Sequence, residues 1–394
     1  MRRYYRGYDP QRILSVAEMA HVARHRLPGF AWEYLQGGAE DESTLQCNRS
    51  AFQQYRLHSK TLVPNDPPIL AGSLVGSASQ LPLAIGPSGF NGMLWPNADV
   101  ELARAATAHG VPFTLSTVAN ASLEQVRQQV PDADLWFQLY ALKDPSLEQD
   151  LLQRALKAGC STLVVTSDAL VVGNREWDRR NFASPRQLTL ANKLNVLTRP
   201  GWLWRVMVPA GLPTMGNLNA YLPDGERTAL GAMQFIAEQL DTRLDWQRLA
   251  AIRANWPGKM ILKGVLHPDD ARMAISLGLD GVVVSNHGGR QLDGASSSLD
   301  ALARIAPVVD GRISLLLDGG VRRGTDIIKA LALGAEGVLL ARTTLYGVAA
   351  YGGAGVDRVL TIVQEELGRS LNLMGCRGIT SLDRRWLLAQ GDSQ

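Results

Sequence analysis

The chain has 394 residues, 46% of them hydrophobic, which is enough apolar material for one large or two modest domains. Its net charge of +3 is mild, and no block of lysine and arginine with interleaved aromatic residues occurs, which argues against binding to nucleic acid. The three cysteines, Cys47, Cys160 and Cys376, are far apart and in no C-x-x-C spacing, so we expect a cytoplasmic protein with neither disulfides nor a bound metal.

Residues 1–80 differ in pattern from the rest of the chain. The first eight residues are basic but no apolar stretch follows them, and no run of about 18 apolar residues occurs anywhere, so we expect neither secretion nor a membrane span. A helical stretch with Tyr34 leads into the Gly-Gly and acidic segment 37–42. We predict that residues 1–80 form an N-terminal helical extension that packs over one end of the following domain.

Strands and helices then alternate. Helical patterns with apolar positions every three or four residues lie at 99–109, 147–158, 246–256, 268–277, 299–308 and 324–333. This alternation predicts an α/β fold with a parallel sheet, and eight strands predict a closed (β/α)8 TIM barrel, formed by residues 1–394 as a single domain. The eight strand-like segments, each ending in small or polar residues, are 81–86, 112–117, 135–140, 162–168, 260–265, 281–286, 313–318 and 337–342.

The connection after the fourth strand, residues 171–243, is far longer than an ordinary loop and is predicted to be a lid or docking segment. It contains Trp202 and Trp204 beside several cations, a composition typical of a segment at a membrane interface, which indicates peripheral membrane contact through residues 174–215. The alternative is a lid whose tryptophans pack on the barrel or on a neighbouring subunit, and the sequence leaves both open. The cations up to residue 211 are Arg175, Arg179, Arg180, Arg186, Lys193, Arg199 and Arg205, against only Glu176 and Asp178.

The segment after the sixth strand is the strongest candidate for an active site. Residues 284–293 read Val-Ser-Asn-His-Gly-Gly-Arg-Gln-Leu-Asp, at the barrel edge where catalytic side chains converge. His287 can take or give a proton near neutral pH, and Arg290 offers a planar donor fork that matches a carboxylate. The alternative is a core histidine and a surface arginine, but Gly288 and Gly289 favour close approach to a ligand. The pair suits a small anion that loses a proton.

The ends of the last two strands predict a phosphate site. Strand seven ends in Asp318-Gly319-Gly320-Val321-Arg322 and strand eight in Arg342, and in barrels the loops at these positions often bind phosphate. No G-x-G-x-x-G follows a first strand and no P-loop occurs, so the sequence lacks the motifs that bind nicotinamide dinucleotides or nucleoside triphosphates. Groups at other strand ends could bind the edges of a flat heteroaromatic ring or serve only as caps and core partners: Pro87, Ser88, Gly89, Ser116, Gln138, Tyr140, Thr166, Asp168 and Lys263.

One segment carries a family resemblance. The run Ser285-Asn286-His287-Gly288-Gly289-Arg290-Gln291 resembles the signature of the FMN-dependent L-2-hydroxy acid dehydrogenases and oxidases, and the similarity extends from about Ala17 to Leu382. Residues 34–42, 52–54, 91–96 and 344–347 are most similar to the (S)-mandelate dehydrogenases, whereas residues 200–221 are more similar to the L-lactate dehydrogenases. The resemblance implies FMN as the cofactor, so the barrel of residues 1–394 would be a single FMN-binding domain.

The resemblance also implies catalytic roles. His287 would be the base that removes a substrate proton, and Asp168 would stabilise the imidazolium that forms. Arg290 and Arg175 would hold the substrate carboxylate with the help of Tyr34.

Further matches concern the flavin. Lys263 would lie beside the N1/O2 edge of FMN and stabilise its reduced anion, and Tyr140 would contact the substrate hydroxyl or carboxylate. The ring system would lie on Pro87, Ser88, Gly89, Ser116, Gln138 and Thr166 with Ser285 nearby, Asp318 would meet the ribityl chain, and Gly320, Arg322 and Arg342 would bind the phosphate.

Three positions bear on specificity. Ala341 stands where the family usually has glycine, Gly89 matches the dehydrogenases more than the oxidases, and Val118 replaces a bulky residue of glycolate oxidase, which leaves phenyl or methyl substrates open. We therefore expect oxidation of an L-2-hydroxy acid of (S)-mandelate or L-lactate type to the 2-oxo acid, with electrons passed to a quinone or other carrier. The alternatives are an oxygen-using oxidase that produces peroxide and, remotely, a non-redox phosphate-binding barrel. The resemblance implies a homotetramer. We expect a cytoplasmic location, with peripheral contact on the inner face of the cytoplasmic membrane as one of the two interpretations of the segment after the fourth strand.

Overall fold

Eight parallel strands form a closed barrel in the computed structural model, which describes residues 4–64, 66–183, 187–208, 211 and 214–389. Each strand pairs with its neighbours in the chain, and the last pairs with the first, Val338 opposite Leu83. The predicted fold class is confirmed, and every strand agrees with its predicted bounds within two residues. The strands are β1 Leu83–Ile85, β2 Phe113–Ser116, β3 Leu135–Leu139, β4 Thr162–Thr166, β5 Lys259–Val265, β6 Gly281–Val284, β7 Ser314–Asp318 and β8 Gly337–Leu340.

The alternation of side chains along the strands explains where the polar residues point. An apolar layer fills the barrel interior, and Trp136, Val164, Ile261, Val283 and Leu316 belong to it. Because the side chains of a strand alternate between faces, the residues two positions further on point inward as well. Those residues form a polar layer at the carboxyl end of the barrel: Gln138, Thr166, Lys263, Ser285 and Asp318.

Helices surround the barrel. The six predicted helices agree with the structure within two residues, whereas Leu123–Gln129 and the two helices after β8 were not predicted. Leu123–Gln129 is only seven residues long and begins with a capping box of Ser122 and Gln125. The helices around the barrel are Ala98–Ala108, Leu123–Gln129, Pro145–Lys157, Trp246–Asn255, Pro268–Ser276, Ser298–Val309, Gly324–Ala332, Arg342–Tyr351 and Gly353–Met374.

The N-terminal segment covers both ends of the barrel. At the carboxyl end, the amide of Ala39 donates to the Gly289 carbonyl (2.9 Å). At the amino end, a hairpin places Leu74 and Val75 in the apolar layer inside the barrel. The elements of this segment are the helices Val16–Arg26, Gly29–Gln36 and Ser43–Ser50, the hairpin strands Gly72–Leu74 and Ser77–Ser79, and strand Tyr55–Leu57, which pairs with Leu387–Ala389. Short 3-10 helices lie at Pro10–Arg12, Ala51–Gln54, Asn91–Met93, Asn219–Tyr221, Ile379–Ser381 and Arg384–Trp386.

The long connection after β4 contains several short elements, and Arg186 of its cationic stretch lies outside the described residues. Trp202 is buried and donates from Nε1 to the Met93 carbonyl (2.9 Å), whereas Trp204 is 69% exposed. In the described parts of the chain, no helix combines the length and the apolar character needed to cross a bilayer. The elements are helices Glu176–Asn181, Leu190–Leu197 and Pro200–Trp202, the π-helix Leu203–Met207, helix Ala229–Gln239, and the paired strands Phe182–Ala183 and Gln187–Leu188.

Candidate active site

A cavity of about 410 Å³ opens at the carboxyl end of the barrel. All of the predicted site residues line it except Asp168 and Ser285, which lie directly behind its wall in contact with His287 and Lys263. The barrel therefore brings together side chains from the ends of all eight strands, as the sequence predicted. The N-terminal extension contributes Tyr34, whose hydroxyl donates to the Gly89 carbonyl (3.3 Å).

His287 and Asp168 form a hydrogen-bonded pair. Nδ1 of the imidazole lies 2.8 Å from Oδ1 of Asp168, which leaves Nε2 available to the cavity. Burial opposes the charged carboxylate, but the charges of His287 and Lys263 outweigh it, so the pKa of Asp168 is below its ordinary value. Gly264 makes room for this pair, because a Cβ there would lie 2.7 Å from the Asp168 Cβ. The glycine directly after Lys263 was the sequence signal for this close approach, and it was not recognised. The arrangement can accept a proton and stabilise the resulting imidazolium.

Two arginines lie on the same cavity wall. Arg290 is held by hydrogen bonds from Nη1 to the carbonyls of Tyr34 (2.8 Å) and Gly37 (2.7 Å). Burial, and then the charge of Arg175, lower the pKa of Arg290. Asp178 lies between the two arginines, with its Oδ2 3.6 Å from Nε of Arg175 and 3.9 Å from Nη2 of Arg290. The sequence predicted no site role for this carboxylate. Two convergent guanidinium groups can bind an incoming carboxylate.

Lys263 is a buried cation on the floor of the cavity. Its Nζ lies 2.7 Å from Oδ2 of Asp318 and donates to Oγ of Ser285 (2.9 Å). Burial opposes the charge, but Asp318 and Asp168 outweigh it and raise the pKa of Lys263. Burial, followed by the charge of Asp168, raises the pKa of Tyr140 to about 12, so this phenol is neutral and can donate a hydrogen bond.

Amide and hydroxyl groups continue across the neighbouring strand ends. Ser116 Oγ donates to Oε1 of Gln138 (2.7 Å), and Nε2 of Gln138 donates to Oγ1 of Thr166 (3.0 Å). Pro87, Ser88 and Gly89 follow β1 beside them on the cavity wall. This edge of the cavity is therefore lined by groups that suit the polar rim of a planar ring.

The opposite side of the cavity is cationic. Within the described ranges, neither Arg342 nor Arg322 lies within ion-pair distance of a carboxylate. Burial, and then the charge of Arg290, lower the pKa of Arg342 to about 9, as expected of a partly buried cation with no carboxylate at ion-pair distance among the described residues. Gly320 has φ +82°, and a Cβ there would lie 2.0 Å from the Asn48 carbonyl oxygen, so only glycine fits. Ala341 has φ −104°, a value open to any residue, so its methyl group is accommodated.

The comparisons with known proteins identify the family. Residues 23–389 match the model of the FMN-dependent dehydrogenases. The chain belongs to the FMN-dependent dehydrogenase family. It is 42% identical over 384 residues to (S)-mandelate dehydrogenase of Pseudomonas putida, which covers 97% of this chain and 95% of that protein. It is 41% identical to L-lactate dehydrogenase of Caulobacter sp. (strain K31), over 96% of this chain and 99% of that protein.

A solved structure agrees with this assignment. The crystal structure of the monotopic membrane protein (S)-mandelate dehydrogenase superposes with a TM-score of 0.92 at 41% identity, over 96% of this chain and 100% of that chain. The family, the enzyme class and the FMN cofactor predicted from the sequence are therefore confirmed.

The residues of this FMN-dependent dehydrogenase fit the cofactor. In the described part of the chain, Oδ1 of Asp318 is buried without a hydrogen-bond partner, so it can accept from a hydroxyl of the ribityl chain. Arg342 and Arg322 lack an anion, which a phosphate supplies. The chain of Ser116, Gln138 and Thr166 side chains suits the polar rim of the ring. A single bound FMN would thus supply a donor to Asp318 and an anion to Arg322 and Arg342.

Proposed function

We propose that this FMN-dependent dehydrogenase oxidises an L-2-hydroxy acid to the 2-oxo acid. The observation that carries the proposal is the position of His287, hydrogen-bonded to Asp168, and of the guanidinium groups of Arg175 and Arg290 on one cavity. Its support from the comparisons is that the named relatives are (S)-mandelate and L-lactate dehydrogenases.

The chemistry assigns a role to each group around the substrate. Bound FMN supplies the acceptor for two electrons. Oxidation of CH–OH to C=O releases two electrons and two protons, and Nε2 of His287 takes one of these protons while Asp168 stabilises the imidazolium. The second proton would accompany the two electrons and complete the reduction of the flavin. Arg290 and Arg175 hold the substrate carboxylate, and the neutral phenol of Tyr140 donates to the substrate oxygen.

The remaining side chains hold the cofactor and complete the substrate site. Lys263 places a fixed positive charge beside the ring, and Tyr34 lies under Arg290, whose Cζ is 5.0 Å from its ring centroid. We assign Pro87, Ser88, Gly89, Ser116, Gln138, Thr166 and Ser285 to the ring system, Asp318 to the ribityl chain, and Gly320, Arg322 and Arg342 to the phosphate.

An apolar wall supports a substrate with a bulky side chain. Helix Ala229–Gln239 returns to the barrel at Leu240, which bridges to Leu142, and the amide of Asp241 donates to the Ala141 carbonyl (3.0 Å). Contact between a phenyl ring and these methyl and methylene groups is favourable, because it removes apolar surface from water. We therefore propose an aryl-substituted substrate of the mandelate type ahead of lactate. The side chains of this wall are Val118, Met215, Met233, Ile236, Ala237 and Leu240.

Anaerobic bleaching of the flavin absorbance tests both statements. The FMN-loaded protein is mixed with each enantiomer of mandelate, lactate and a longer aliphatic 2-hydroxy acid, without oxygen. We expect bleaching by the L (S) enantiomers only, fastest with mandelate. Failure of every 2-hydroxy acid to bleach the flavin would contradict the reaction, and faster bleaching by L-lactate would contradict the aryl preference alone.

We also propose that electrons pass to a membrane quinone and that the segment after β4 contacts the bilayer. The relative with a solved structure is described as a monotopic membrane protein. Comparing quinone-analogue reduction with peroxide formation in air distinguishes this acceptor from oxygen. The side chains proposed for the membrane surface are the exposed Leu190, Leu194, Leu197, Trp204 and Val208. The homotetramer implied by the family resemblance is a further proposal, which light scattering of the purified protein tests.

A further inference from the structure

One carboxylate lies between the two arginines that face the cavity. Oδ2 of Asp178 is 3.6 Å from Nε of Arg175 and 3.9 Å from Nη2 of Arg290. Arg175 and Asp178 belong to the segment after β4, whereas Arg290 follows β6, so the carboxylate bridges two parts of the chain. Arg175 and Arg290 repel each other, and Asp178 is the carboxylate among the groups that offset this repulsion at Arg290, beside the phenols of Tyr34 and Tyr140.

At these distances Asp178 attracts both guanidinium groups electrostatically but forms a short hydrogen bond with neither. Charge-assisted N–H···O bonds between arginine and a carboxylate are about 2.7–2.9 Å long, and both contacts of Asp178 are longer. A substrate carboxylate that approaches with hydrogen-bonding geometry therefore gains more from each arginine than Asp178 does. Arg290 would remain in place during such an exchange, because its Nη1 is held by the carbonyls of Tyr34 and Gly37.

We propose that Asp178 is an internal counter-ion that neutralises Arg175 and Arg290 in the absence of substrate, and that it thereby weakens the binding of anionic ligands and speeds their release. This inference rests on the proposed function, because it takes the two arginines as the site of the substrate carboxylate. Substrate and 2-oxo acid product carry the same carboxylate, so Asp178 limits product inhibition as well as substrate affinity. Asp178 is a positioning residue and takes no part in proton transfer.

The sign of the effect distinguishes this role from a structural one. Asp178→Asn removes the negative charge and keeps the size, so the two arginines present more uncompensated charge to a ligand. A like charge about 5 Å away changes affinity on the order of tenfold at an effective dielectric constant of about 50, between the values for a protein surface and for bulk water. The variant should thus bind anions roughly tenfold more tightly and show a lower KM with no gain in kcat. If Asp178 only held the arginines in place, its loss would weaken binding.

The test is calorimetric titration of the oxidised, FMN-loaded enzyme with benzoylformate, the 2-oxo acid derived from mandelate, and separately with sulfate. The expected result is a roughly tenfold lower Kd for Asp178→Asn, and a Kd restored toward the wild-type value in Asp178→Glu. Glu176→Gln is the matched control, because it removes an exposed charge from the same helix and should change the Kd less than twofold. Asp178→Ser is a second neutral variant.

An unchanged or higher Kd in a neutral variant with normal FMN content and circular dichroism would overturn the proposal. Failure of both neutral variants to fold would overturn it too, because the carboxylate would then be structural. The proposed function is judged separately: it fails if no 2-hydroxy acid bleaches the wild-type flavin, whereas sulfate binding still reports on Asp178. Arg290→Met should weaken the binding of both ligands, and equal binding would show that the anions go elsewhere.

Discussion

His287 has a backbone conformation that is unusual for its type. Its φ is +57°, and Gly288 and Gly289 follow with φ +64° and +75°, so three successive residues are left-handed. For a non-glycine residue this conformation costs about 1–2 kcal/mol. The His287 amide donates to Oγ of Ser285 (3.0 Å) and the ring is held by Asp168, which offset the cost. Strain of this kind is common where a side chain must be aimed at a ligand.

His287→Ala should separate proton transfer from cofactor binding. We expect FMN-loaded protein whose turnover is lower by roughly 10²–10⁴-fold, the usual contribution of a general base. Stopped-flow measurement of flavin bleaching checks this, with the exposed His58→Ala as a control that should leave the rate unchanged. A rate within a few fold of wild type would refute the assignment of His287 as the base.

Asp168 makes stability depend on pH. Its pKa is lowered in the folded protein, so the ionised carboxylate stabilises the fold above the ordinary carboxyl range, and this contribution is lost as pH falls through the lowered value. The free energy of unfolding of Asp168→Asn should therefore differ most from wild type near pH 6 and approach it toward pH 3. Urea denaturation at a series of pH values measures this difference, and a gap independent of pH would contradict the linkage.

At the level of elements, the segment after β4 has both buried and exposed apolar residues. Trp202 packs edge-on against Phe30 with ring centroids 5.8 Å apart, which anchors the segment to helix Gly29–Gln36 of the N-terminal extension. Trp204 and one face of helix Leu190–Leu197 remain exposed. Exposed apolar side chains among arginines and lysines are the arrangement that binds an anionic bilayer surface.

Replacement of two of these side chains should release the protein from membranes. Leu194→Glu combined with Trp204→Glu removes apolar contacts and adds negative charge, so we expect at least about tenfold weaker sedimentation with vesicles of anionic phospholipid. Turnover with a soluble dye should be unchanged. Leu373→Glu, on helix Gly353–Met374, is a matched control because Leu373 is 75% exposed. Equal sedimentation of the double variant and wild type would exclude this surface.

At the scale of the whole molecule, we expect stability to depend on an anion bound at the carboxyl end of the barrel. Arg342, Arg322 and Arg290 bring positive charge to one cavity, and Arg342 is partly buried, with Nη1 and Nη2 donating to the carbonyls of Gly288 and Gly37. A ligand that binds only the folded state stabilises it in proportion to the logarithm of its concentration. FMN is therefore part of the charge balance of the fold.

Removal of FMN should lower the Tm by roughly 5 °C or more, the shift expected when a few kcal/mol of binding energy is lost from a large domain. Inorganic phosphate should restore part of this loss in the apoprotein, and Arg322→Met should abolish the restoration. Scanning calorimetry with phosphate and chloride at equal ionic strength measures both. Equal Tm values in the two salts would show that these arginines do not form a phosphate site.

The sequence by itself determined the order of strands and helices, the eightfold barrel and most of the side chains around the cavity. These features follow from local patterns, because a two-residue period sets the inward face of a strand and places polar strand ends at one edge. The seven-residue helix Leu123–Gln129 escaped because two turns are too short to show a helical period.

Only the tertiary structure decided which distant residues meet. Asp178 lies between Arg175 and Arg290, Gly264 makes room for Asp168, and Trp202 is buried while Trp204 is exposed. No local period encodes these relations, because they depend on how the long connection after β4 folds back on the closed barrel. Burial and charge at such meeting points are set by packing in three dimensions, and they decide how the site binds anions and how the surface meets its surroundings.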